Sequence, residues 1–395
     1  MRRSWVSSRG SGNPGPSIQF RKPMTKPIVV VGSINLDLVA ATERIPVAGE
    51  TVLGSRFQTF PGGKGANQAV AAARLGADAA MLGKVGNDSF GKQLKAGLEQ
   101  AGVNTDAIDF VEGSSGVAEI ITDARGNNAI TVVPGANAQL EPRDIYAREN
   151  AIRAAGVVLA QLEIPLETVQ AVSDICAEES IPFILDPAPA RPLPDTLLRN
   201  VSWLTPNETE TCSLLGRAFE ELGEDALELA AGKLLQCGCR NVILKLGSRG
   251  CFVALSDGTR LRLPAYPVRT VDATGAGDAF NGALAVSLVS GKAPLEAAEW
   301  ATAVAAISVT RHGAQPSMPA SSEVERFLAA QPKSAWAVSA SANADLVSHH
   351  RLPTDSTPGN ASVESEKDGV TAAAGSELQP DNPENLPISK AEECS

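Results

Sequence analysis

The sequence lacks the features of a membrane protein and of a nucleic-acid-binding protein. No stretch approaches the roughly 18 consecutive apolar residues that a bilayer-spanning helix needs. The hydrophobic content of 43% and the charged content of 20% are ordinary for a globular chain. The net charge of −11 provides no basic surface of the kind that attracts a polynucleotide. These absences predict a soluble protein that acts on small molecules, with neither nucleic acid nor membrane as a partner.

Cysteine and histidine are scarce. The six cysteines include only one close pair, Cys237 and Cys239, and no second pair completes a metal site. We interpret the cysteines as reduced thiols in a reducing compartment. A metal site at Cys237 and Cys239 is disfavoured because L-L-Q-C-G-C-R is typical of a helix end that turns into a strand. Of the three histidines, His312 lies in a loop and His349 and His350 lie near the C terminus, so none is a convincing acid–base candidate.

Common nucleotide-binding motifs are also missing. No G-x-x-x-x-G-K-[ST] segment occurs, and Gly275–Phe280 departs from G-x-G-x-x-G at its last position. The first predicted strand is followed by G-S-I-N-L-D instead of the glycine turn of a dinucleotide-binding fold. A dinucleotide-dependent dehydrogenase is therefore disfavoured.

Both ends of the chain differ in composition from the rest. Residues 1–26 hold six basic residues, no acidic residue and no apolar signal-peptide core, which predicts a disordered basic extension or, alternatively, a transit peptide. Residues 332–395 hold ten acidic and four basic residues without a sustained period, which predicts a disordered acidic tail. We expect a cytoplasmic protein, or a protein of a plastid or other organelle if the extension is a transit peptide.

Between these ends, buried apolar runs alternate with helical patterns, as in a parallel sheet covered by helices on both faces. The predicted strands are Ile28–Gly32, Ala80–Val85, Gly156–Gln161, Phe183–Asp186, Trp203–Thr205 and Asn241–Leu246. The predicted helices are Ala66–Leu75, Ser89–Gln100, Leu166–Glu178, Ala226–Leu235, Ala279–Leu288 and Leu295–Thr310. The alternation predicts one doubly wound, mainly parallel α/β domain over residues 27–331, with right-handed crossovers.

Two segments break this alternation. Glu50–Phe60 and Val117–Val133 alternate polar and apolar residues around Gly and Asn turns, as half-exposed antiparallel strands do. They predict a small β-sheet lid with strands near residues 37–62 and 112–134. A lid of this kind would exclude water from a site beneath it.

The strongest chemical signal is Thr270–Gly282, T-V-D-A-T-G-A-G-D-A-F-N-G, where a glycine-rich turn runs into an apolar helix. Gly275, Ala276 and Gly277 would present backbone N–H groups at the helix N terminus, where the macrodipole favours phosphate. Asp278 follows immediately. It is either an acid that stabilises the helix start or a general base beside a transferred phosphate, and the surplus of glycine favours the second role.

Thr270–Gly282 resembles the C-terminal signature of the ribokinase family of sugar and nucleoside kinases. Phe60–Ala73, F-P-G-G-K-G-A-N-Q-A-V-A-A-A, resembles the N-terminal signature of the same family. The two blocks have the order and separation of the family, and the resemblance runs from about Lys26 to Phe327. It implies a ribokinase-like kinase domain in which Asp278 is the catalytic base.

The sugar-binding residues follow partly from chemistry and partly from the resemblance. Asn35 and Asp37 emerge from the carboxyl end of the first strand, and amides and carboxylates suit sugar hydroxyls, although an Asx-rich turn is the alternative. The resemblance implies a sugar pocket formed by Asn35, Asp37, Gly63, Lys64, Asn67, Glu163 and Asp278. It also implies that Gly62 and Gly63 flex between lid and body.

Two further segments resemble the family's nucleotide-binding motifs. Asn207 and Glu210 in T-P-N-E-T-E would organise Mg²⁺ and phosphates, mostly through water. Lys245–Gly250, K-L-G-S-R-G, resembles the ATP-contacting loop, although a simple β-turn would also explain its glycines. The resemblance implies ATP contacts from Asn207, Glu210, Lys245, Gly247, Ser248, Gly250 and Gly277. Lys245 stands where some family members carry Thr, so its contact is the least certain of these.

A monovalent cation, K⁺ or a similar ion, is implied as an activator beside the anion hole. The matching positions are Asp272, Thr274, Ser308, Arg311, Gly313 and Ser317. Most ligands would be backbone carbonyls, so Asp272 is the informative side chain.

The resemblance thus implies phosphorylation of D-ribose by ATP with Mg²⁺, in a homodimer formed through the lid. Three alternatives remain: a family kinase for another sugar or a nucleoside, an inactive sugar-binding relative, and an unrelated nucleotide-binding module. The intact Asp278 and its glycines argue against an inactive relative, and the paired signatures argue against the module.

Overall fold

The computed structural model describes residues 26–331. Residues 1–25 of the predicted basic extension and the predicted acidic tail, 332–395, lie outside the described residues. Within residues 26–331 no helix is long and apolar enough to cross a bilayer.

Thirteen strands form two sheets in this part of the chain. They are β1 Ile28–Val31, β2 Asn35–Thr42, β3 Gly54–Gly62, β4 Ala79–Gly86, β5 Asn104–Val111, β6 Gly116–Thr122, β7 Asn128–Val133, β8 Val157–Gln161, β9 Phe183–Asp186, β10 Trp203–Leu204, β11 Asn241–Lys245, β12 Cys251–Leu255 and β13 Arg260–Leu263.

Eleven α-helices accompany these strands in the described residues. They are α1 Lys64–Arg74, α2 Ser89–Gln100, α3 Pro142–Tyr146, α4 Glu149–Arg153, α5 Leu166–Glu178, α6 Asp195–Leu198, α7 Glu208–Leu214, α8 Glu224–Gln236, α9 Ala276–Val289, α10 Pro294–Ser308 and α11 Ser321–Ala329. Short 3-10 turns occupy Gly135–Gln139, Gly247–Arg249 and Gln315–Ser317.

The main sheet has nine strands in the order β13-β12-β11-β10-β9-β8-β1-β4-β5. The pairs from β5 to β11 are parallel, and β12 and β13 join as antiparallel edge strands. All four residues of β1 are buried because helices cover both faces. Ile28 and Val30 pack into one hydrophobic cluster with α1, α9 and α10, whereas Val29 and Val31 pack into another with α5 and α8. The predicted doubly wound α/β fold is confirmed.

The separate small sheet has the order β3-β2-β6-β7. The pairs β2–β3 and β6–β7 are antiparallel, and β2–β6 is parallel. All six residues of the edge strand β7 are exposed, as are most residues of β3. The strand β2, Asn35–Thr42, lies mostly within the range 37–62 where lid strands were predicted, and it begins two residues earlier.

Candidate active site

A cleft of polar side chains lies at the carboxyl ends of β1, β8 and β9. The helices α1 and α9 begin at the same edge of the sheet, each after a glycine with positive φ. Gly63 has φ 85°, and a Cβ there would come within 2.7 Å of the Asn35 nitrogen. Gly275 has φ 75°, and a Cβ there would lie 2.8 Å from the Ala314 Cβ. Only glycine therefore lets both helices start close to this cleft.

Asp278 lies in the first turn of α9 and is 5% exposed. Its Oδ2 accepts a hydrogen bond from Asn67 Nδ2 at 2.9 Å, and its Oδ1 accepts one from Gln68 Nε2 at 3.1 Å. Burial raises the pKa of Asp278 to about 6, the charge of Lys64 opposes this rise, and Asp186 adds to it. Both oxygens are thus bonded to α1 rather than to the first N–H groups of α9, which favours the base over the helix cap.

The remaining predicted sugar-binding residues converge on the same cleft. Burial, together with the nearby carboxylates of Glu163 and Asp278, raises the pKa of Asp37 to about 7. Burial alone would lower the pKa of Lys64, but four surrounding carboxylates, Asp278 foremost, hold it above its ordinary value. The carboxylates around the half-buried Lys64 can accept hydrogen bonds from a polyhydroxylated ligand.

Two of these residues are held by side chains on neighbouring segments. Glu163 accepts hydrogen bonds from Ser33 Oγ and, at 3.1 Å, from the backbone nitrogen of Lys64. Asn35 is 3% exposed, and its Oδ1 accepts from Asn137 Nδ2 at 2.7 Å. All seven predicted sugar-binding residues therefore lie together around the amino end of α1.

A cavity of about 450 Å³ adjoins the cleft on the other side of α9. Five of the predicted ATP-contacting residues line it: Lys245, Gly247, Ser248, Gly250 and Gly277. The rest of the wall is mostly apolar and includes Val268, Phe280 and Val309. A cavity with apolar walls that opens onto a helix N terminus suits a planar base joined to phosphates.

Asn207 and Glu210 lie beside this cavity and bond to each other. Asn207 Oδ1 accepts from the Glu210 nitrogen at 2.8 Å, and Glu210 Oε2 accepts from the Asn207 nitrogen at 2.7 Å, a capping box for α7. Burial raises the pKa of Glu210, the charge of Lys245 lowers it, and Asp186 raises it. Both residues thus have a structural role as well as a position near the cavity.

No group of three His, Cys, Asp or Glu side chains within residues 26–331 is arranged to hold a metal ion. Asn207 and Glu210 place amide and carboxylate oxygens near Lys245, and such oxygens suit an ion that keeps several of its waters.

The predicted cation loop is organised by Asp272. Its Oδ1 accepts from the Thr274 nitrogen at 2.9 Å and from Thr274 Oγ1 at 2.7 Å, and its Oδ2 accepts from the Gly313 nitrogen at 2.8 Å. Burial raises the pKa of Asp272, but these hydrogen bonds outweigh burial and hold it below its ordinary value. Asp272 therefore ties the segment before α9 to the loop after α10.

The other three predicted cation-loop side chains have partners of their own. Ser308 Oγ donates to the Ala305 oxygen at 2.8 Å, and Ser317 Oγ donates to the Ala314 oxygen at 2.7 Å. Arg311 forms an ion pair with Glu323 at 2.6 Å. The Arg311 side chain has no acceptor atom, so any cation ligand from that position would be its backbone oxygen.

Sequence reasoning missed one acidic residue of the site, Asp186. It is 2% exposed at the end of β9, and it accepts from Gln68 Nε2 at 3.0 Å and from Lys245 Nζ at 3.0 Å. Gln161, at the end of β8, donates to Gln68 Oε1 at 2.7 Å. Both residues were predicted as strand ends, so their position at the carboxyl edge of the sheet was a signal that could have identified them.

Comparison with known proteins agrees with this geometry. Residues 25–321 match the family described as pfkB family carbohydrate kinase. A ribokinase of Bacillus subtilis is 45% identical over 304 residues, covering 76% of this chain and 99% of its own length. A deoxyribokinase of Salmonella typhi is 37% identical over 303 residues, covering 76% of this chain and 98% of its own length.

A solved structure shares the fold. The ribokinase of Arabidopsis thaliana, determined in complex with ribose and ATP, superimposes with a TM-score of 0.73 and 36% sequence identity, covering 77% of this chain and 99% of its own.

Proposed function

Because the chain belongs to the pfkB family of carbohydrate kinases, we propose that it transfers the γ-phosphoryl group of ATP to the 5-hydroxyl of D-ribose. The products are D-ribose 5-phosphate and ADP. The observation that carries the proposal is the position of Asp278, which lies between the sugar-side cluster and the cavity. Ala276 and Gly277, from the first turn of the same helix, line that cavity. The ribose and ATP bound in the Arabidopsis relative support the choice of substrates.

In this mechanism Asp278 accepts the proton of the 5-hydroxyl as its oxygen attacks the γ-phosphorus. The new bond joins that oxygen to phosphorus, and the bond from phosphorus to the β,γ-bridging oxygen breaks as ADP leaves. Asn67 and Gln68 hold the carboxylate in place. The backbone N–H groups at the start of α9 stabilise the negative charge on the phosphoryl oxygens.

Metal ions would support this arrangement. Mg²⁺, bound with ATP, would neutralise phosphate charge, and Asn207 and Glu210 would hold its waters. A monovalent cation would be held near the segment that Asp272 organises, where it would fix the loop before α9. We also propose a homodimer formed through the small sheet, because apolar side chains such as Phe57 and Ile130 are exposed there, at 64% and 54%.

A panel of substrates tests the assignment. We expect ribose to give the highest kcat/KM among ribose, 2-deoxyribose, fructose and adenosine in an assay of ADP release. Deoxyribose is the second candidate, because the deoxyribokinase relative is 37% identical over 303 residues. A preference for 2-deoxyribose would select that candidate, and a clear preference for adenosine or fructose would overturn both.

A further inference from the structure

Lys245 is the one charged side chain among the described residues that line the nucleotide-side cavity. It ends β11, and its side chain is 14% exposed. Its Nζ donates to Asp186 Oδ1 at 3.0 Å, and the Asp186 side chain is 2% exposed. An ion pair at such depth gives little net stabilisation, because both charges lose their hydration. Its cost in desolvation suggests a role beyond folding.

The position of the ammonium group points to the phosphate path. A Cβ built on Gly277 would lie 3.3 Å from Lys245 Nζ, so the ammonium sits beside the second residue of α9. The N–H groups of that first turn have no partners within the helix. An ammonium carries three donors, and only one is directed to Asp186. Lys245 can therefore bind an oxyanion together with the helix N terminus.

Asp186 also fixes Lys245 relative to the catalytic base. Its other oxygen accepts from Gln68 Nε2 at 3.0 Å, and the same amide donates to Asp278 Oδ1 at 3.1 Å. The ammonium and the base are thus joined through one glutamine side chain. Lys64 is the other lysine at the site, but it lies on the sugar side, where its backbone nitrogen donates to Glu163.

We propose that Lys245 is a further catalytic residue, whose ammonium binds the β- and γ-phosphate oxygens of ATP while Asp186 holds it in position. This inference rests on the proposed function, since it assigns a role within the same transfer. Lys245 would stabilise the charge that develops on the bridging oxygen as its bond to phosphorus breaks. ATP must approach the carboxylates of Asp278, Asp186 and Glu210, and the Lys245 ammonium would offset their repulsion of the phosphates.

The test compares Lys245→Met, Lys245→Arg and the double variant Lys245→Met/Asp186→Asn. We expect Lys245→Met to bind the non-hydrolysable analogue AMP-PNP about 10- to 100-fold more weakly and to lose at least as much kcat, whereas its affinities for AMP and ribose stay close to wild type. Lys245→Arg, which keeps the positive charge, should retain part of the affinity for AMP-PNP and part of kcat. The double variant should recover thermal stability, because no unpaired carboxylate remains, but should not recover turnover.

Lys84→Met is the matched control. Lys84 pairs with Asp144, at 7% and 16% exposure, but does not line the cavity. This variant should lose stability without losing selectivity for AMP-PNP over AMP. Near-normal kcat and AMP-PNP affinity in the folded double variant would overturn the proposal, and so would equal losses of AMP-PNP affinity in Lys84→Met and Lys245→Met. AMP-PNP binding needs no sugar, so a wrong sugar assignment would leave this test valid.

Discussion

Asn67 Nδ2 donates to Asp278 Oδ2 at 2.9 Å and thereby joins residues 211 positions apart in the chain. Asn67 belongs to α1, which begins directly after Gly63, and the small-sheet strand β3 ends at Gly62. The orientation of the Asp278 carboxylate is thus set by a helix that continues from the small sheet. A change in the small sheet can therefore reach Asp278 through one turn of α1.

The activity should fall in mildly acidic solution. A carboxylate accepts a proton only when it is ionised, and the pKa of Asp278 is raised to about 6. We therefore expect kcat/KM for the sugar to rise from pH 5 to about pH 7 and then level off. Asp37→Asn is the control, because the pKa of Asp37 is raised to about 7, in part by Asp278, and a fall in activity near pH 6 that comes from Asp278 should persist without Asp37. A profile that is flat down to pH 4.5 would contradict the assignment of Asp278.

The main sheet could be predicted from the sequence because its signals are local. The buried run Phe183–Asp186 was predicted with the bounds that the structure shows, as were the helices Ser89–Gln100 and Leu166–Glu178. The antiparallel edge strands β12 and β13 were not predicted. The dipeptide Asp257-Gly258 between them is a hairpin signal that was overlooked, and β13 alternates arginine with leucine over only four residues.

Site residues that belong to a sequence motif could be predicted, whereas contacts that depend on the packing of distant segments could not. The glycine blocks identified Asp278 and Asn67, but not the bond between them. The contact of Asp186 with Lys245 depends on the order β11-β10-β9, which places the ends of two strands close together although they are 59 positions apart in the chain. No local sequence pattern indicates that Asp186 and Lys245 are in contact.

The segment that Asp272 organises should govern activation by a monovalent cation. Asp272→Ala removes the carboxylate that accepts two hydrogen bonds from Thr274 and one from Gly313, so we expect weaker activation by potassium and nearly unchanged ribose affinity. Initial rates against potassium concentration, with ribose titrations alongside, measure both. Asp257→Ala is the control, because Asp257 accepts the equivalent bond from the Thr259 nitrogen in a hairpin turn between β12 and β13. If the wild-type protein were equally active with potassium and with a bulky organic cation, the proposed activation by a monovalent cation would be wrong.

The protein should sediment as a homodimer at micromolar concentration. The edge strands β3 and β7 carry exposed apolar side chains, and an uncovered sheet edge is prone to association. Phe57→Glu places a charge on β3 and should shift the protein towards monomer. Phe219→Glu is the control, since Phe219 is 63% exposed but lies outside the small sheet. A wild-type monomer in sedimentation velocity, with activity independent of protein concentration, would refute the assembly.

Asp278→Asn should fold and bind ATP and ribose but lose turnover. The amide cannot accept the proton, and general-base catalysis contributes roughly 10²- to 10⁴-fold, so we expect kcat to fall at least ~100-fold. The new Nδ2 would face one of two amide donors, but the Asn67 side chain can turn, because its Oδ1 is buried and has no hydrogen-bond partner. The raised pKa of Asp278 means that its ionised form destabilises the folded state above about pH 6, so losing this charge should offset the altered bonding. Thermal unfolding at pH 7.5, ribose titration and kcat separate these effects. A folded variant with near-normal kcat would show that Asp278 is not the base.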